Sequence, residues 1–449
     1  MTVDLMSIYV LHKDRQWRTI FDRRLRGIFM EDGAQACAVG VVGAGIVGVA
    51  LAFLLSRRGF VVTLLDRDAP GRAGPSFGNA GHIAGSEIFP ISNPGILGTA
   101  IRMLVDPNAP LKIDPFYAPR LAPWLYRFYL SGRQRAYQKA TEALTLLSAK
   151  ALPSTKALLA EAGLGNMVRH APALYLYGSR HSLESAIPNW RAKLERGHSF
   201  TVIADRRDLA ELEPSLSHEF AGAILSDDWG AVADPYDVVT NLFQAAIGSG
   251  VEYRRASVEE IHPAEHTITV KGEGEAFRFD KVVIASGAHT PLLARQIGDY
   301  LPIEAEGGYN YTYPASGLEL NHPLILADRG IAATSLSSGL RVGGWAVFAG
   351  LSSEPKQAYF DRIEKIAERT FPHLCTQGGR PWSGLRPSTP DSVPIISRSA
   401  RAKRLFYSAG HGHCGLSLAA ASAEIMLELL RGNQQAGQPF AIDRFERPG

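Results

Sequence analysis

An α/β fold, with parallel-sheet units at both ends of the chain and an inserted domain on a mixed or antiparallel sheet between them, is predicted by three features of the sequence. The first is Val39 to Asp66, VGVVGAGIVGVALAFLLSRRGFVVTLLD, which reads as strand, glycine turn, helix and a second strand ending in an acid. The second is GHGHCG, from Gly410 to Gly415, between a strand over Arg404 to Ala409 and a helix over Gly415 to Arg431. The third lies in the middle: Glu306 to Pro314, Asp328 to Thr334 and Leu340 to Val347 alternate between turns, the period of antiparallel strands.

The opening unit has the spacing of a Rossmann-like βαβ dinucleotide site. Gly43 permits the tight turn, Gly45 lets the backbone approach a pyrophosphate, and Gly48 allows helix and strand to pack closely. Ala44, Ile46 and Val47 complete the turn and first helical residues, where free N–H groups and the helix dipole favour an anion. Arg57, Arg58 and Gly59 close the helix. Asp66 then ends the second strand where a carboxylate accepts from ribose hydroxyls, and Arg67 follows it. Ala36 to Ser56 carries no charge over a membrane-spanning length, but glycines in its first half would leave backbone groups unsatisfied inside a bilayer.

The chain of 449 residues can bury a large core, and its 47 basic and 44 acidic side chains leave no broad footprint for nucleic acid. Cys37, Cys375 and Cys414 are odd in number and far apart, which suits a reducing compartment and lacks metal-site spacing. Residues 1–37 form an N-terminal extension outside the core fold, without the apolar centre of a secretory signal. Ile20, Phe21, Leu25 and Ile28 beside arginines fit an amphipathic surface helix; the simpler reading is a disordered or mispredicted start, with Met30 as initiator. The expected location is cytoplasmic, with peripheral contact at the inner face of the cell membrane left open.

After Asp66, the run Ser76, Phe77, Gly78, Asn79, Ala80, Gly81 and His82 is too irregular for helix or strand. Small residues suit close approach to a flat ligand, and equally suit a surface loop. From Asn93 to Gly163 the spacing is helical, with Pro115, Pro119, Pro123 and Pro153 expected to divide it, and with Trp124, Tyr126, Phe128 and Tyr129 read as core packing. Ala173 to Tyr177 is a strand, Asp234 an N-cap, and Phe279 to Thr290 a buried strand entering a turn at Ser286 and Gly287, parallel to the opening strand. The expected divisions are 38–100, 201–300 and 380–432 for the nucleotide-binding domain, 101–200 and 301–379 for the substrate domain, and 433–449 for a C-terminal tail.

Gly410 to Gly415 match GxGxxG, yet the chain ends too soon for a second ribose-binding strand. A helix N-terminus there can face the first cofactor. His411, His413 and Cys414 lack a fourth partner for a metal, so none is expected.

These pieces resemble one family. The opening glycine unit, SFGNAG, the strand ending ASGA, GLRPSTPD and AGHGHCG occur in the order found in FAD-dependent amine and amino-acid oxidoreductases of the D-amino-acid oxidase superfamily, with D-amino-acid dehydrogenases the nearest branch. The resemblance runs from about Ala38 to Leu430 and implies a D-amino-acid oxidase-like fold. It implies FAD as cofactor, with its adenosine half on Gly43 to Asp66, Val258, Ser286 and Gly287 lining that half, and Asn79, Ala80 and Gly81 near the flavin. Gly410, Gly412, His413, Gly415 and Leu416 would then set a helix N-terminus against the pyrimidine edge, favouring negative charge on the reduced ring. Ser383 to Asp391, read as a turn, holds no cysteine where covalently flavinylated relatives have one, so the resemblance implies non-covalent FAD.

Arg386 matches the family arginine that binds the substrate carboxylate, for which a planar guanidinium is suited. Tyr309 and Tyr311 are candidates to close over the substrate; Arg329, Arg341 and Trp345 could also reach the pocket, and His413 could tune a proton or the flavin charge. The implied reaction is oxidation of a D-amino acid to an imino acid, which water hydrolyses, with electrons passing to a quinone or another carrier. A secondary-amine, glycine, sarcosine or hydroxyproline enzyme and a non-catalytic flavoprotein subunit are the competing readings.

Overall fold

The computed structural model describes residues 36–72, 74–96, 98 and 110–445. The expected surface helix around Ile20 to Ile28 lies outside them. Two sheets organise the described chain. The first has six strands in the order Glu252–Arg255, Val61–Asp66, Ala38–Val42, Lys281–Ile284, Leu405–Ala409 and Ile395–Arg398. Neighbours run parallel except the last pair, which is antiparallel. Parallel strands are covered on both faces, which is why Val39, Val41 and Leu64 are apolar and fully buried.

The helix Ile46–Arg57 packs against Gly415–Leu430 and Pro235–Gly248, so nearly all its faces are buried. That burial explains the uncharged run from Ala36 to Ser56, which divides into a strand, a turn and this helix. Gly415–Leu430 lies in the one described helical stretch (Gly412–Leu430) long and apolar enough to cross a membrane, and most of it is buried inside the protein. Gly59 ends the first helix at φ +87°, a left-handed backbone that costs glycine little.

The second sheet has nine strands. Its path runs Arg380–Ser388, Glu304–Tyr313, Gly339–Phe348, Ile331–Leu336, Leu324–Leu326, Ala173–Tyr177, Gly222–Ser226 and Phe200–Ile203, with Leu111–Ile113 beside Gly339–Phe348. The three alternating segments are its antiparallel centre. Helix Gln357–Thr370 covers one face through Phe360, Ile363 and Ala367. A small sheet, His82–Ala84 with Trp229–Val232 and Val168–His170, carries the chain between the two larger ones.

Three expectations about boundaries change. Phe200–Ile203 and Gly222–Ser226 pair with each other and with Ala173–Tyr177, so residues 200–226 build the antiparallel sheet, not the parallel one. Ser383 to Ser388 is no turn: Arg380–Ser388 is an edge strand bonded to Glu304–Tyr313, its prolines tolerated where one side of the strand is unpaired. Residues 433–445 are not a loose tail. Ile442 and Phe445 enter the core of the parallel-sheet domain, and Arg444 pairs with Asp391 at 2.8 Å and donates to the Val393 carbonyl at 2.7 Å.

The helical segment is present as Ala118–Ser131, Gln134–Ser148 and Ala151–Glu161, but its breaks fall at Gly132 and at Ala149 to Lys150. Pro119 sits in a first turn, where no helical N–H is lost, and Pro123 is carried inside its helix. Trp124 is core, stacked on Phe128 at 5.3 Å, whereas Tyr126 is exposed.

Candidate active site

One cavity of about 1190 Å³ runs from the first glycine turn to the second, between the two sheets. At one end its wall includes Gly43, Ala44, Gly45, Ile46, Val47, Asp66 and Arg67, with Val258, Ser286 and Gly287 opposite. Asn79 and Ala80 flank its middle, and Gly412, His413, Gly415 and Leu416 form the far wall. Gly48, Gly81 and Gly410 are off the wall and shape the backbone behind it. A Cβ on Gly48 would stand 1.8 Å from the Gly43 carbonyl oxygen, and one on Gly410 would stand 2.6 Å from Thr389 Cγ2.

The glycine turn is tied down by its surroundings. Gly43 has φ +112°, and a Cβ there would meet the Ala285 carbonyl oxygen at 2.4 Å. Asp66 accepts from the Ala44 N–H at 2.5 Å and, through its other oxygen, from the Asp68 N–H at 2.9 Å. Ser76 Oγ accepts from the Ile46 N–H at 3.1 Å, a helix-start contact that the sequence reading missed. Gly45 differs: an added Cβ would meet only Ser76 Oγ, at 3.4 Å, so protein packing does not demand glycine there.

The loop from Ser76 to Gly81 is held by the other domain. Arg341 donates to the Phe77 and Asn79 carbonyls at 3.1 and 2.6 Å and to Thr312 Oγ1 at 3.0 Å, while Asn310 Nδ2 donates to the Gly78 carbonyl at 2.8 Å. Arg341 is therefore a clamp, and loss of hydration lowers its pKa. Gly78 must be small, because a Cβ would fall 1.9 Å from the Trp382 ring. Arg329 is bound to Glu219 at 2.6 Å and lies off the cavity wall.

Arg386 is on the wall with a side chain about one-quarter exposed. Its Nη1 donates to Glu306 Oε1 at 2.9 Å and to the Trp345 carbonyl at 2.8 Å, and Nη2 donates to the Gly344 carbonyl at 3.3 Å. Nε–H and the second Nη2–H take part in none of these bonds. Glu306 is buried and its second oxygen accepts from Ser388 Oγ at 2.6 Å. Trp345, at φ +59°, directs its carbonyl to the guanidinium from a strained backbone.

Tyr309 reaches the wall, and Tyr311 does not. Both share a strand face, as their spacing requires, but helix Gln357–Thr370 covers it: Tyr311 packs on Tyr313 at 5.5 Å and Phe360 at 5.8 Å. Tyr309 lies at the border of that cluster, 5.2 Å from Tyr359, and burial raises its pKa.

The histidines divide by environment. His82 and His411 are buried and pushed down to about 4 by loss of hydration. His82 Nε2 meets Thr334 Oγ1, and His411 Nε2 meets Ser422 Oγ at 2.9 Å, so His411 turns inward and not toward His413. His413 is open to the cavity and is pushed up to about 9, first by the Cys414 sulfur beside it, against the cost of burial, with Glu87 and Glu306 adding.

A family model described as DAO, FAD dependent oxidoreductase, matches residues 38–429. The chain belongs to this family. It is 29% identical over 416 residues to a D-amino-acid oxidase of Bradyrhizobium diazoefficiens, covering 91% of this chain and 98% of that protein. It is 30% identical over 424 residues to a D-amino acid dehydrogenase of Methylobacterium sp. (strain 4-46), covering 91% and 99%. Glycine oxidase from Geobacillus kaustophilus superposes with a TM-score of 0.71 at 20% identity, over 91% of this chain and 99% of that one. L-proline dehydrogenase from P. horikoshii gives 0.69 at 19%, over 92% and 98%. The protein is an FAD-dependent amino-acid oxidoreductase with the fold of these enzymes.

The cavity fits FAD. Gly45 leaves open space where a diphosphate would meet the helix start, and Asp66, although it accepts two backbone N–H groups, retains lone pairs for ribose hydroxyls. At the other end, a Cβ on Gly415 would meet nothing closer than His411 Cβ at 3.9 Å, so the start of Gly415–Leu430 is open to the cavity. FAD would span these two helix ends. Glu87, Trp229 and Trp382 also line its path and were not anticipated; only their sequence proximity to the Asn79 loop or to Arg386 could have pointed to Glu87 and Trp382.

Proposed function

We propose that this enzyme oxidises D-amino acids to imino acids, which water hydrolyses to 2-oxo acids and ammonia, and that its electrons pass to a quinone or another carrier. The observation that carries the reading is Arg386, fixed on the cavity wall with Nε–H and one Nη2–H that meet no acceptor among the described residues. A planar cation so placed suits a carboxylate that must be oriented, since rigid positioning is what the chain can contribute to the reaction. FAD, when bound, supplies the two-electron acceptor. Arg386 binds the carboxylate, Glu306 and the Gly344 and Trp345 carbonyls hold Arg386, and Tyr309 bounds the substrate side. The D configuration is supported by the names of the relatives at 29 and 30% identity.

Anaerobic addition of D-amino acids, L-amino acids, sarcosine and hydroxyprolines to the FAD-loaded protein tests this directly. Bleaching of the flavin band by D-amino acids is expected; bleaching only by L-amino acids or secondary amines overturns the proposal. Arg386→Ala should raise the substrate KM roughly 10- to 100-fold, the worth of charge-assisted bonds, while FAD stays bound. Repeating it beside Glu306→Gln separates lost binding from the burial of an unpaired carboxylate. An unchanged KM in both would remove Arg386 from the substrate site.

A further inference from the structure

Glu87 lies just beyond the short strand His82–Ala84, on the cavity wall, with a side chain 31% exposed. Its Oε1 accepts from the Tyr175 hydroxyl and lies 3.9 Å from Lys193 Nζ. Its backbone carbonyl is fixed by Ser148 Oγ at 3.0 Å. Lys193 itself is buried. Its ammonium sits 4.2 Å from the Trp190 ring centroid and 5.5 Å from that of Tyr175, so it stands behind the carboxylate and off the cavity wall. A ligand in the cavity therefore meets the negative end of this pair.

The arrangement has the marks of a built site. A carboxylate drawn partly out of water is stabilised when one oxygen is held by a hydroxyl and a cation, and the other remains available to a donor. Burial alone would raise the Glu87 pKa, but Lys193, the Tyr175 hydroxyl and His413 outweigh it and hold the group ionised. Building on the reading of the cavity as an amino-acid site, we propose that Glu87 selects substrates whose side chain carries a second positive charge. The carboxylate of such a substrate meets Arg386 and its distal ammonium or guanidinium meets Glu87.

The test uses the FAD-loaded protein and two readouts. The first is binding without turnover: perturbation of the flavin spectrum by 5-aminopentanoate against pentanoate. Wild type should bind the amino acid about tenfold more tightly or better, the worth of one charge-assisted bond, and Glu87→Gln should abolish the difference. Glutamine retains an acceptor for Tyr175, and an unchanged flavin spectrum checks the fold. The second is the ratio of kcat/KM for D-lysine and D-arginine to that for D-methionine, expected to collapse in Glu87→Gln. Equal binding of the two acids by wild type overturns the inference. So does a Glu87→Gln variant that keeps the ratio and alters only the pH dependence near 9, which would make Glu87 a partner of His413. If no amino acid reduces the flavin but the binding preference is present and Glu87-dependent, the reading as an amino-acid oxidation enzyme fails and the site stands.

Discussion

Glu306 and Arg386 are opposite one another across neighbouring antiparallel strands, and that register explains both the strength and the limit of the arginine as an anchor. A buried carboxylate holds the guanidinium in one orientation, so in the proposed role little side-chain entropy would be lost on binding a substrate; it would also cancel part of the charge that draws the substrate in. Room for this arrangement comes from Gly308. A Cβ there would lie 2.6 Å from Arg386 Cζ and 2.7 Å from its Nε, over the face of the guanidinium. Gly308→Ala should therefore displace Arg386 without touching the FAD end. Steady-state kinetics should show a KM increase approaching that of Arg386→Ala with FAD still bound, and a KM within twofold of wild type would show that the guanidinium shifts harmlessly.

At the scale of the element, the glycine turn separates two demands that one motif conceals. Gly48 serves the protein, since a Cβ would collide with the Gly43 carbonyl at 1.8 Å. Gly45 is left as the position proposed to serve the ligand, because nothing among the described residues forbids a side chain there. Gly48→Ala should lower the Tm of the apoprotein by several degrees, whereas Gly45→Ala should keep the apoprotein Tm and weaken FAD binding, as followed by flavin fluorescence on titration. Equal Tm losses would mean that both positions are packing sites. The unit was legible in the sequence because its logic is local: strand, turn, helix and Asp66 follow one another within a short span. Glu87 and Glu306 were not, and Arg341 was legible as a pocket residue but not as the clamp on the Asn79 loop, because what these residues do is set by partners brought from far along the chain, such as Tyr175, Lys193 and that loop. Tyr311 and Arg329 were misplaced for the same reason. Their residue types suited the chemistry, but a covering helix and Glu219 claim them.

For the whole molecule, the cavity lies between two domains that are each sealed by buried polar contacts, and two of these are histidines that must stay neutral. His411 joins the last glycine turn to helix Gly415–Leu430 through Ser422, and His82 joins the small sheet to the antiparallel sheet through Thr334. Each has a folded pKa near 4 against an ordinary 6.5, so between those values the unfolded chain binds more protons than the folded one. Their contribution is fully present above about pH 6.5 and is lost as pH falls toward 4, at roughly 3 kcal/mol for each group. His413 has the opposite sign, raised to about 9, and its contribution is present at low pH and lost as pH rises through that value. At fixed FAD concentration, the Tm should fall steadily from pH 6.5 to 4.5, and His411→Asn should flatten part of that slope at the cost of a lower Tm at pH 7. A variant with the wild-type slope would show that acid lability arises elsewhere than at His411.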